Sequence, residues 1–192
     1  MSARTRYFLI TCALVVLLDQ ATKLWINNNI ELWRGSITVI DGFFQIVHYR
    51  NKGAVGGVLG GSDFRLHIFF VFTLVALGAI GWMVWKLPAR ERFVPTMLGL
   101  IAGGAIGNAI DRAYQGEVID FLRFYTEHPE VSAWLKAKFG TAEYPSFNVA
   151  DMGIVVGVIA FFIQQFWQDR VSKEADLSAD DLPPEDDGAV TA

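Results

Sequence analysis

Two aspartates, Asp120 and Asp151, have the residue type and setting for chemistry. Asp120 lies near the end of residues 103–121, GGAIGNAIDRAYQGEVIDF, and Asp151 ends Phe147-Asn148-Val149-Ala150-Asp151. Both are polar islands bordering apolar runs, which puts the two acids at neighbouring ends of two apolar segments. Facing carboxylates can hold one proton between them, because like charges at close range do not both ionise. Such a pair titrates as a unit. One member then takes a proton from water while the other donates to a carbonyl oxygen. That is general acid–base hydrolysis with no covalent intermediate.

The remaining polar residues have plainer readings. Asp19 and Lys23 are spaced i, i+4, so they share a helix face and can pair there. Asp111 beside Arg112 reads as a local ion pair or helix-end anchor. Asn148 can cap a helix whose N3 position is Asp151. His48, His67 and His128 lack metal-ligand spacing and no HExxH is present, so they read as isolated surface or interface residues, and no metal or cofactor is expected. Cys12, the only cysteine, reads as a small buried hydrophobe.

The elements that must position these groups are membrane segments. Of 192 residues, 53% are hydrophobic, and the mean hydropathy is +0.34. These values suit a polytopic membrane protein. Apolar runs at 7–26, 66–85, 93–110 and 149–167 are long enough to span a bilayer. Gly99, Gly103, Gly104 and Gly107 have the spacing that lets helices approach closely. Residues 36–40 and 43–49 read as strands joined by a two-residue Asp41-Gly42 connection, a hairpin signal. The glycines at 53, 56, 57, 60 and 61 make a flexible or closely packed loop. Residues 111–146 read as a second long loop, with 134–139 as a short amphipathic or interfacial piece. Residues 1–172 form one membrane unit, and residues 173–192 an acidic, disordered cytoplasmic tail.

Charge fixes the expected orientation. Residues 168–192 hold eight acids against two bases, so the net charge of −4 is a property of the tail. No general basic patch points to nucleic acid. Arg4, Arg6, Lys86, Arg90, Arg92, Arg170 and Lys173 fall on one side of a four-span chain. The positive-inside rule puts that side, with both termini, in the cytoplasm. Every polar island then lies at an outward end. A transporter using the same acids would need a polar path to the inner side, and the inner halves of the spans carry no acids. A non-catalytic scaffold would leave the carboxylates without a purpose.

At these positions the chain resembles bacterial lipoprotein signal peptidase, or signal peptidase II. Asp19-Gln20-Ala21-Thr22-Lys23 is similar to that family's DQxxK block, and Asn51-Lys52-Gly53-Ala54 to its NxGA block. Residues 103–112 and 116–121 are similar to GGxxGNxxDRxxxGxVxDF, and 147–151 to FNxAD. The resemblance implies an all-α membrane protein of four transmembrane helices with a small extracytoplasmic β-sheet cradle. It implies a multi-pass protein of the bacterial cytoplasmic (inner) membrane whose active site lies at the outer face. It implies a catalytic pair, Asp120 and Asp151, acting on diacylglyceryl-prolipoproteins just before the lipidated lipobox Cys. Asp19, Lys23, Asn51, Gly53, Gly104, Asn108, Asp111, Arg112, Asn148 and Ala150 are implied to support the site or contact substrate and inhibitor. Membrane lipid and globomycin-type inhibitors are the other implied partners. The chain departs from the family pattern at Val55-Gly56-Gly57 and in an apparent insertion at 126–144, which reads as a lid or as a flank of the substrate groove.

Overall fold

The structure is a computed structural model that describes residues 1–53 and 64–180, with side chains to residue 171. In chain order the elements are α1 (Ala3–Asn29), β1 (Ser36–Ile40), β2 (Phe44–Asn51), α2 (Arg65–Lys86), α3 (Phe93–Gln115), β3 (Val118–Phe124), α4 (Pro129–Phe139) and α5 (Val149–Asp180). Helices α1, α2, α3 and α5 are long and apolar enough to cross a membrane. The shortest, α2, has 22 residues, about 33 Å at 1.5 Å each. Their outward faces carry exposed Leu17, Phe72, Val75 and Ile159, as lipid contact requires.

Helix α3 is central and packs against α1, α2 and α5. Its glycines permit this. A Cβ on Gly99 would lie 2.7 Å from the Phe8 carbonyl of α1, and one on Gly103 2.8 Å from the Cys12 carbonyl. On the opposite side a Cβ on Gly104 would collide with the Ala150 carbonyl of α5. Two helices are thus held at backbone contact, as the small-residue spacing predicts. Ile80, Val84, Val94, Leu98 and Ala102 fill the space between α2 and α3.

Above the helices lies an antiparallel sheet in the order β1-β2-β3. The expected hairpin is present, but Ile40 pairs with Phe44, so the connection is Asp41-Gly42-Phe43. The Phe43 N–H closes the turn on the Ile40 carbonyl at 3.1 Å, and Gly42 at φ +67 is its third residue, the position where a type II turn needs a positive φ.

Residues 111–146 are not a loop. Helix α3 continues to Gln115 and stops at left-handed Gly116, and β3 and α4 follow. Strand β3 satisfies its backbone through β2, far away in sequence, so no local pattern announces it. Helix α4 starts with Pro129 at its first turn and stops at left-handed Gly140, the usual Pro-in, Gly-out asymmetry. Helix α5 runs to Asp180, past residue 173 where the tail is expected to begin. Lys173, Glu174, Ala175 and Leu177 favour helix, and extending an existing helix needs no new nucleus. Residues 181–192 of the tail, and the glycines at 56, 57, 60 and 61, lie outside the described residues.

Candidate active site

Asp120 sits on β3 rather than at a helix end. Its neighbours Ile119 and Phe121 are buried with Ile26 of α1 and Ile30, the residue that caps its end. Alternate strand residues face opposite ways, so burying those two turns Asp120 to the other face of the sheet. Tyr49, its cross-strand partner, and Asn51 share that face. Asn51 Nδ2 donates to Asp120 Oδ2 at 3.0 Å.

Asp151 is set by the start of α5. The Asn148 side-chain oxygen accepts from the Asp151 N–H at 3.0 Å, and the Asp151 carboxylate accepts from the Asn148 N–H at 3.1 Å. This is the reciprocal capping arrangement, with Asn148 at the cap and Asp151 at N3 as expected. Asn148 also reaches the other acid: its Nδ2 lies 2.9 Å from Asp120 Oδ1 and 3.1 Å from Asn108 Oδ1. Asn108 Nδ2 in turn donates to Asp151 Oδ1 at 2.7 Å. One pair of asparagines therefore holds both carboxylates. Burial, then the neighbouring Asp151, push the Asp120 acid up to about 7, against the pull of the Asn51 and Asn148 donors and of Lys23.

Asp19, Lys23 and Asp111 form a buried network joined to this pair through Asn108. Lys23 Nζ lies 2.8 Å from Asp19 Oδ2, 2.8 Å from Asp111 Oδ2 and 3.0 Å from Asn108 Oδ1. All three ammonium protons have acceptors. Asp19 also accepts the Ala150 N–H at 2.9 Å, and Asp111 the Ile119 N–H at 3.1 Å. The network thus ties α1 and α3 to the strand and helix that carry the two acids. A Cβ on Gly107 would lie 2.6 Å from Asp19 Oδ2, so only glycine admits the carboxylate there.

Two expectations need correction. Asp111 pairs with Lys23 of α1, not with Arg112, because its side chain turns inward to the bundle while Arg112 lies over the Phe69 ring at 4.1 Å. Arg112 also donates to the Gly53 carbonyl at 3.4 Å, which ties α3 to the Asn51-Lys52-Gly53 turn. His48 is buried rather than at a surface, and its Nδ1 donates to the Ile30 carbonyl at 2.9 Å. Gln20 belongs to the Asp19–Lys23 block but has no role assigned from sequence, and it donates to Asp19, Asp111 and the Gly107 carbonyl. Its signal was a polar amide within an apolar run. Among the described residues no His, Cys, Asp and Glu group could hold a metal ion.

The family profile described as signal peptidase (SPase) II matches residues 11–167. The chain belongs to the signal peptidase II family. Two similar proteins are named lipoprotein signal peptidase. That of Maridesulfovibrio salexigens is 40% identical over 162 residues, covering 82% of this chain and 95% of its own. That of Bacillus pumilus is 38% identical over 169 residues, covering 88% and 98%. A solved structure described as a bacterial membrane enzyme, determined by the in meso method at 2.3 Å resolution, is 30% identical with a TM-score of 0.69, covering 84% of this chain and 88% of that one. The signal peptidase II match begins within α1, ends within α5, and includes α2, α3 and the small antiparallel sheet.

Proposed function

We propose that the chain is an aspartyl endopeptidase that removes signal peptides from diacylglyceryl-modified prolipoproteins, cutting just before the lipidated lipobox Cys. The observation that carries this reading is the bridge of Asn108 and Asn148 joining Asp120 to Asp151. It gives two acids one shared location, between strand β3 and the start of α5. Asp120, which retains its proton up to about pH 7, donates to the scissile carbonyl oxygen. Asp151, its oxygens aligned by Asn108 and the Asn148 N–H, takes a proton from the attacking water. The substrate's acyl chains stay in the bilayer and hold the peptide at headgroup depth, which makes a weak encounter local.

The basic residues at the inner ends support a bacterial cytoplasmic membrane protein with both termini inside and this site at the outer face. Globomycin-type cyclic peptides are inhibitors on this reading, occupying the same site. The test is cleavage of a diacylglyceryl lipopeptide by purified D120N and D151N proteins. Both should fold cooperatively and show no turnover. Measurable turnover by either variant would refute the assignment.

A further inference from the structure

Trp33 has φ +66, the one positive φ at a non-glycine among the described residues. A bulky side chain in that region is strained, and such strain persists only where surrounding contacts hold it. The contacts are visible. The Trp33 N–H donates to the His48 carbonyl at 3.0 Å. The same His48, buried, donates through Nδ1 to the Ile30 carbonyl at 2.9 Å. One residue of β2 therefore clamps both sides of the turn that leaves α1. The product of this strain is a ring placed on a ring: the Trp33 indole stacks on Tyr49 with centroids 5.3 Å apart and planes 20° from parallel.

The location of the stack gives it meaning. Tyr49 is the direct cross-strand partner of Asp120, and directly opposed residues project from the same face. Asn51, two positions along, shares that face and bonds to Asp120. The outer side of Trp33 remains open, with 58% of the residue exposed. The turn lies four residues past the end of α1, so the ring stands at the height where a membrane helix leaves the lipid. Indole favours that amphipathic layer.

We propose that the Trp33–Tyr49 stack is a positioning surface that receives the glyceryl–acyl neck of the lipidated substrate beside Asp120. This rests on the peptidase reading above. The neck is the occupant because it is the part of such a substrate that is both apolar and confined to headgroup depth. A flat aromatic face covers methylene and ester groups without needing a hydrogen bond. The strained backbone keeps the ring in place before substrate arrives, so little ordering is left to occur on binding.

The experiment compares wild type with W33A, W33F and W33G in nanodiscs, using a diacylglyceryl lipopeptide as substrate and a soluble diacylglyceryl-cysteine as competing ligand. W33A should raise KM about three- to tenfold with kcat within about twofold. The inhibition constant of the diacylglyceryl-cysteine should rise by the same factor. W33F should restore most of the affinity. W33G, which takes φ +66 without strain, should fold and still show the raised KM, separating the ring's role from the backbone's. Unchanged KM in W33A, a loss confined to kcat, or a raised KM with an unchanged inhibition constant would each overturn the proposal. Failure of the peptidase reading would look different, since wild type itself would then not cleave, or D120N would.

Discussion

Asn148 and Asp120 are joined by a 2.9 Å hydrogen bond, and the residue that makes it is also the cap that sets Asp151. Asn148 therefore fixes the spacing of the two acids as well as the start of α5. Asn148→Ala removes both functions. Loss of the cap should cost about 1 kcal/mol of stability, while kcat should fall about a hundredfold because the acids lose their common mount. Thermal unfolding and turnover measured on one preparation would separate the two effects. Equal stability with unaltered kcat would contradict the assigned role.

The raised pKa of Asp120 sets a direction for pH. Burial and Asp151 bring it from 3.8 to about 7 in the folded protein. The folded state then holds more protons than the unfolded chain between those values, so stability falls as pH rises. The stabilising contribution is complete below about pH 4 and lost above about pH 7. D120N should abolish this part of the slope in thermal midpoints measured from pH 4 to 8. Turnover by the wild type should decline above about pH 7 as Asp120 loses the proton it donates.

Lys23 is buried and bonded to two carboxylates. Lys23→Met leaves Asp19 and Asp111 without a cation and should destabilise by about 3–5 kcal/mol, the usual cost of breaking a buried pair from one side. Asp111→Ala should cost less, because Lys23 keeps Asp19 and Asn108. Asp111 bonds to neither Asp120 nor Asp151, so folded D111A protein should retain most of its kcat. Thermal midpoints of the two variants, with D111A turnover, check this ordering. A wholly inactive but thermally intact D111A protein would reverse the ranking of the acids.

Gly104 faces the Ala150 carbonyl so closely that a methyl group cannot fit. G104A must push α5 away from α3, at a cost of about 1–3 kcal/mol for overpacking. The displaced backbone carries Asp151, so kcat should fall as well as stability. The outcome against this account is a G104A protein with unaltered melting and turnover.

The four spans were readable because each is a long apolar run, and the α5 start because Asn148 and Asp151 have capping spacing. The pairing of Asp19 with Lys23 was readable for the same reason: helical period brings them together. Strand β3 was hidden. Its residues follow α3 almost directly, and only β2, contributed by a distant stretch, makes them a strand. Of the two readings of Asp111, the ion pair with Arg112 gives way because the fold supplies Lys23, while its bond to the Ile119 N–H near the end of α3 fits the anchor. The strain at Trp33 leaves no trace in residue type, since nothing about tryptophan marks a left-handed turn.

The Asp19–Lys23 contact has a consequence for biosynthesis. Helix α1 is made first and meets lipid before Asp111 or Asn108 exists. A lone lysine or aspartate would resist insertion at that moment. One helical turn apart, the two neutralise each other within the nascent segment, so the hairpin partner that completes the network can arrive later. The same ion pair that anchors the finished bundle thus also lets its first piece wait in the bilayer.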